Sequence, residues 1–233
     1  MTLARRVAAE TLGTCLLVAT VIGSGIMAAR LAGGQQAVAL LANAVATGSM
    51  LYVLITMLGP ISGAHFNPVV TGVMVVTRAV SLSDGLSYVV AQLAGGILGT
   101  IIANVMFETP ALQFAQTMRG GLGQWLGEFV ATAGLMLTIL GLSASRPASI
   151  PAAVGLYILS AYWFTSSTSF ANPAVTIARV FSDSFAGIAL ESVTMFIFMQ
   201  VTGAAAGLFL ATWLWPPQEP SQGPLTFPVR QPT

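Results

Sequence analysis

Two stretches carry the side chains best placed to act on a solute. Ser62 to Thr71 reads Ser-Gly-Ala-His-Phe-Asn-Pro-Val-Val-Thr, and Ser167 to Thr176 reads Ser-Thr-Ser-Phe-Ala-Asn-Pro-Ala-Val-Thr. In each, an Asn suited to cap a helix (Asn67, Asn172) precedes a Pro suited to its first position (Pro68, Pro173). The segments after each Pro, Val69 to Val76 and Ala174 to Phe181, are apolar but far too short to cross a bilayer. A helix that starts in mid-membrane must have its preceding loop buried in protein or lining a water-filled cavity. Half-helices in corresponding places of two halves mark a solute path at the repeat interface. Each would point its positive N-terminal end at the membrane centre. Two such ends facing each other disfavour a cation and interrupt a proton-conducting chain of water. The Asn67 and Asn172 amides would be donors to a passing solute; plain N-capping is their simpler duty. The chemistry implied is recognition and passage. No nucleophile, base and orienting group converge as in an enzyme, and no CxxC or His cluster suggests a metal or cofactor.

The rest of the chain must hold these segments in lipid. It is 55% hydrophobic and only 6% charged, where a soluble domain carries about a quarter charged residues. The chain is therefore an integral membrane protein. There is no Lys, and the net charge of +1 gives no sign of a nucleic-acid partner. The single Cys15 excludes an internal disulfide. Spans are expected at 7–29, 37–58, 85–107, 124–142, 150–164 and 186–215. Gly59-Pro60 is expected to end the second span, and Pro216-Pro217 the last. Residues 1–215 form one domain, with repeats at about 5–107 and 124–215. The Pro- and Gln-rich stretch 216–233 cannot build a core and is expected to be a disordered cytoplasmic tail. Glu10 in the first span is matched by Glu128 in the fourth, and Gln92-Leu93-Ala94-Gly95 in the third by Gln200-Val201-Thr202-Gly203 in the sixth. Three spans per half make the repeat inverted. Arg5, Arg6, Arg78, Arg146 and Arg230 fall on one side, against Arg30 and Arg119 on the other. That bias puts both termini in the cytoplasm.

Paired Asn-Pro half-helices, a Glu in spans one and four and Gln-x-x-Gly in spans three and six resemble the aquaporin, or major intrinsic protein, family. The resemblance runs from about Arg5 to Trp215. It implies an all-α fold of six tilted helices and two re-entrant half-helices around a pore, assembled as a homotetramer in the cell's inner (plasma) membrane, amid membrane lipid. It implies pore motifs at Asn67-Pro68-Val69 and Asn172-Pro173-Ala174, with Val69 in place of the usual Ala. Structural support would come from Glu10, Glu128, Gln92 and Gln200. His65 is expected to be tied to neighbouring backbone rather than to act as a proton switch. By the family's spacing the selectivity filter is Thr47, Ser160, Ser169 and Val175. Water- and glycerol-selective members carry Arg where Val175 stands; Arg179, one turn on, is expected not to replace it. These side chains are small, mostly hydroxylated and uncharged, so the ring is expected to be wider than in water- or glycerol-selective members. It resembles that of bacterial aquaglyceroporin-like channels of the arsenic-handling type. The expected function is passive passage of small neutral solutes, among them arsenite and other metalloid hydroxides, glycerol-like polyols and water. A water- or glycerol-selective pore and a coupled secondary transporter are the alternatives.

Overall fold

The computed structural model describes residues 1–216. The expected disordered tail therefore lies, apart from Pro216, outside the described residues. Among the described residues, six helices are long and apolar enough to cross a membrane. They are α1 (Leu3–Leu31), α2 (Gln36–Ser62), α4 (Leu82–Met106), α5 (Leu122–Ser143), α6 (Ile150–Phe164) and α8 (Leu190–Leu214). Two short helices complete the set: α3 (Pro68–Val76) and α7 (Pro173–Ala178), the latter continued by a 3-10 turn over Arg179–Phe181. This is the all-α architecture of six spans and two half-helices that the sequence implies.

Local chemistry sets the boundaries. The Thr2 hydroxyl accepts from the Arg5 N–H and starts α1; the Ser81 hydroxyl accepts from the Asp84 N–H and starts α4. Two expected boundaries are wrong. Pro60 does not end α2, which runs on to Ser62 and closes at Gly63 with φ 92°. The Ser62 hydroxyl donates to buried Glu10 at 2.6 Å, which anchors that extra turn. The last span begins at Leu190, not at 186. The backbone before it bonds elsewhere: Ile188 N–H to the Arg179 carbonyl and Ala189 N–H to the Thr117 carbonyl at 2.8 Å.

Packing repeats with the sequence. The most extensive contacts are α1 with α4 and, equivalently, α5 with α8. α3 lies on α4 and α8 as α7 lies on α8 and α4, so each half-helix bridges the two halves. Helices in lipid associate through close packing rather than hydrophobic exclusion. A Cβ at Gly95 of α4 would strike the Thr11 carbonyl, and one at Gly203 of α8 the Phe129 carbonyl. Where α2 meets α6, a Cβ on Gly48 or Gly155 would overlap the other's carbonyl oxygen. Polarity is inverted relative to a soluble domain. Val90, Leu156 and Phe209 point outward, while Glu10, Gln92, Glu128 and Gln200 are wholly buried. The buried polar groups must therefore be satisfied within the protein.

Candidate functional site

Each half-helix is reached by a loop that reverses inside the protein. The reversal puts Ala64, Phe66, Thr168, Ser169 and Ala171 at φ between 47° and 63°, a region uncommon for non-glycine residues. It also leaves backbone N–H groups with no helical partner. Glu10 takes them in the first half. Its Oε1 accepts from the His65 N–H at 3.0 Å, and its Oε2 from the Phe66 N–H at 2.7 Å and Gln92 Nε2 at 2.8 Å. Glu128 repeats the pattern, accepting from the Phe170 N–H at 2.8 Å, the Ala171 N–H at 2.9 Å and Gln200 Nε2 at 2.6 Å. Each Gln also donates at 2.9 Å to the hydroxyl four residues after the nearby Asn, Thr71 in one half and Thr176 in the other. These two threonines, and Ser62 on Glu10, received no role from sequence reasoning. Their equal offsets from Asn67 and Asn172 were the available signal.

The two asparagines do more than cap. Asn67 Oδ1 accepts from the Val69 N–H at 3.0 Å, and Asn172 Oδ1 from the Ala174 N–H at 2.9 Å. Their amide nitrogens cross over: Asn67 Nδ2 donates to the Ala171 carbonyl at 2.8 Å, and Asn172 Nδ2 to the Phe66 carbonyl at 2.7 Å. The tips of the two loops are thus stitched together with the N-terminal ends of α3 and α7 facing inward. An amide nitrogen carries two hydrogens, so each Asn keeps one beyond its crossing bond. Ala174 is fully buried behind the pair, whereas Val69 lines a groove with Ala204 and Ala205 of α8. His65 differs from expectation. Its backbone N–H is held by Glu10, but its ring Nδ1 lies 3.0 Å from the Thr71 hydroxyl, and the ring packs edge-on against Tyr88.

A cavity of about 280 Å³ runs past both asparagines. Helix faces line it in stripes of four-residue spacing: Thr47, Leu51 and Ile55 on α2; Leu135, Ile139 and Ser143 on α5; Ile150, Val154, Ile158 and Tyr162 on α6. The α6 stripe alone spans about 18 Å of helix axis. Most of the wall is aliphatic, and among the described residues no Asp or Glu lines it. The Thr47 hydroxyl lies 3.2 Å from the Tyr162 hydroxyl. Ser169 and Val175 also line the cavity, and the buried Ser169 Oγ has no hydrogen-bond partner among the described residues.

Ser160 does not join them; it is exposed on the outer face of α6. It stands two residues from both Ile158 and Tyr162, which turns it about 200° away from the cavity. Counting back from Asn172 through an irregular loop gave a register the helix does not keep. The four-residue stripe on α6 would have found Tyr162. Arg179, expected not to stand in for the missing Arg, nevertheless lines the same cavity as Val175. In the link before α5, burial pushes the Arg119 guanidinium below the usual arginine range. That guanidinium bonds to carbonyls, with Nε 2.9 Å from Gly187 O and Nη2 3.3 Å from Phe185 O.

Comparison with known proteins gives the family and the fold. The family model described as major intrinsic protein matches residues 1–166. The chain is 49% identical to aquaglyceroporin AqpS of Rhizobium meliloti (strain 1021) over 218 residues, covering 94% of this chain and 93% of that protein. It is 28% identical to aquaporin Z of Photorhabdus laumondii, covering 87% of this chain and 94% of the relative. The crystal structure of the aquaglyceroporin from Plasmodium falciparum superposes with a TM-score of 0.69 at 19% identity. That match covers 91% of this chain and 95% of the other, a likeness of fold. The chain belongs to the major intrinsic protein family and is a multi-pass membrane channel, not an enzyme.

Proposed function

We propose that the cavity conducts small neutral solutes passively through a filter formed by Thr47, Ser169 and Val175, with Tyr162 beside them. The observation that carries this reading is the wall itself. Two inward-facing asparagines and a few hydroxyls interrupt a largely aliphatic surface on which, among the described residues, no carboxylate stands to hold a coupling ion. A neutral solute with several hydroxyls can exchange water for those groups in sequence. Val175, three residues after Asn172, makes that ring position uncharged. On this reading arsenite and other metalloid hydroxides, glycerol-like polyols and water all pass. The aromatic Tyr162 supports a second, narrower reading, a water- or glycerol-selective pore, because its phenol occupies part of the ring next to Thr47. The channel domain is residues 1–215. It sits in the inner (plasma) membrane with both termini cytoplasmic and assembles as a homotetramer with one pore per subunit.

The test is a panel of solute fluxes in proteoliposomes, comparing water, glycerol, urea and arsenite. All four are expected to pass; passage of water and glycerol alone would favour the narrower reading. Asn67→Leu and Asn172→Leu each remove a midplane donor. Polyol flux is expected to fall at least about twofold, the low end of one lost hydrogen bond. Unchanged flux in correctly assembled variants would mean that the asparagines only cap and cross-link.

A further inference from the structure

Val175 is uncharged, but among the described residues one guanidinium, that of Arg179, lines the same cavity. Arg179 comes four residues after Val175, so the two share a face of the α7 segment and stand about 6 Å apart along its axis. The residue is only 2% exposed, yet it lines the cavity. Its side chain is braced on two sides. Nε donates to the Ala186 carbonyl, and the guanidinium carbon lies 3.4 Å from the centre of the Phe170 ring. The Arg119 guanidinium lies over the same ring at 5.1 Å. Among the described residues no carboxylate forms an ion pair with Arg179; the ion pair there is Arg6 with Asp84. The titratable groups acting on it are Arg119, Tyr162 and Glu128, and Glu128 is already committed to the Phe170 and Ala171 N–H groups and Gln200. At the C-terminal end of α7 the positive charge is also favoured by the helix dipole. The unexpected position of the last span contributes directly, since the unwound 185–189 segment supplies the carbonyls that hold both arginines.

We infer that Arg179 excludes cations from this conduit, one helical turn away from the position where an uncharged Val175 stands. The solute meets the barrier in two storeys: an uncharged, aliphatic one at Val175, which sets width, and a cationic one at Arg179, which sets charge. Size and charge selection are thereby separated onto different residues. A wide ring need not admit small cations, because an unneutralised charge in a wall of low polarity repels them.

This inference rests on the channel reading, and the experiment keeps the two apart. Wild type, Arg179→Gln and Arg179→Lys are reconstituted in liposomes, and each is measured for glycerol flux and for decay of an imposed K⁺ gradient. Wild type that passes no glycerol overturns the channel reading itself. Wild type is expected to pass glycerol and hold the K⁺ gradient. Arg179→Gln is expected to pass glycerol and leak K⁺ at least about fivefold faster, the low end of repulsion between unit charges at contact distance in water. Arg179→Lys guards against a glutamine variant that fails to fold. A buried Lys without a carboxylate partner loses its proton more readily than Arg. It should hold K⁺ at mildly acid pH and leak increasingly as pH rises, while wild type does not change. Glycerol-conducting Gln or Lys variants that hold K⁺ as tightly as wild type at every pH would overturn the inference.

Discussion

Glu128→Leu is expected to remove most folded protein from the membrane. The substitution strips the acceptor from the Phe170 and Ala171 N–H groups and from Gln200 Nε2, all buried. Only Gln200 has a second partner, the Thr176 hydroxyl. Two orphaned backbone donors cost about 2–6 kcal/mol at 1–3 kcal/mol each. That is a large fraction of the 5–15 kcal/mol by which a typical fold is stable. Glu10→Leu should behave alike, because His65, Phe66, Ser62 and Gln92 all converge on that carboxylate. The strained residues raise the stakes: backbone at positive φ persists only while its surroundings hold it. Size-exclusion profiles of detergent-extracted protein, together with thermal midpoints, would read the effect. Normal yield and normal flux for both variants would contradict a supporting role.

Val175→Arg should change selectivity most. It places a long side chain with a rigid fork of donors into the cavity wall that Thr47, Tyr162, Ser169 and Val175 share. It also sets a second guanidinium one turn from Arg179, where like charges repel. Arsenite and other bulky neutral solutes should slow sharply, by about tenfold or more, since exclusion by size acts as a threshold. Water should slow less because it is smaller. Thr47→Phe should act in the same direction through size alone, and it also removes the hydroxyl that meets Tyr162. Stopped-flow measurements on matched amounts of protein would decide the matter. Equal passage of large solutes by wild type and Val175→Arg would mean that the constriction lies elsewhere.

Much of this architecture could be read from the chain, and the reason is physical. In lipid, a Glu or Gln inside an apolar span must have partners, so the paired positions Glu10 with Glu128 and Gln92 with Gln200 stood out. A Pro after an Asn in the middle of an apolar run marks a helix start, which located α3 and α7. What escaped depends on rotation and on irregular backbone. Ser160 and Tyr162 differ by two residues, and only the helix face tells which one meets the cavity. The α8 start was placed four residues early because 186–189 is as apolar as a helix; its carbonyls are instead taken by Arg119 and Arg179. Pro60 looked like a terminator, but a tertiary contact through Ser62 carried α2 past it. Arg179 follows Val175 by four residues, so spacing puts the two on one face, but the Ala186 carbonyl that holds its side chain belongs to the irregular segment, which spacing does not show.

The most direct test of passive conduction is solute accumulation against imposed ion gradients. Proteoliposomes containing the protein are given labelled glycerol outside, with and without an inward proton or sodium gradient. Among the described residues, the cavity wall offers no carboxylate to bind a driving ion. Entry should therefore track the glycerol gradient alone, stop at equal concentrations and be unmoved by ionophores. Accumulation above the external concentration that depends on either ion gradient would contradict the account and assign the chain to coupled transport.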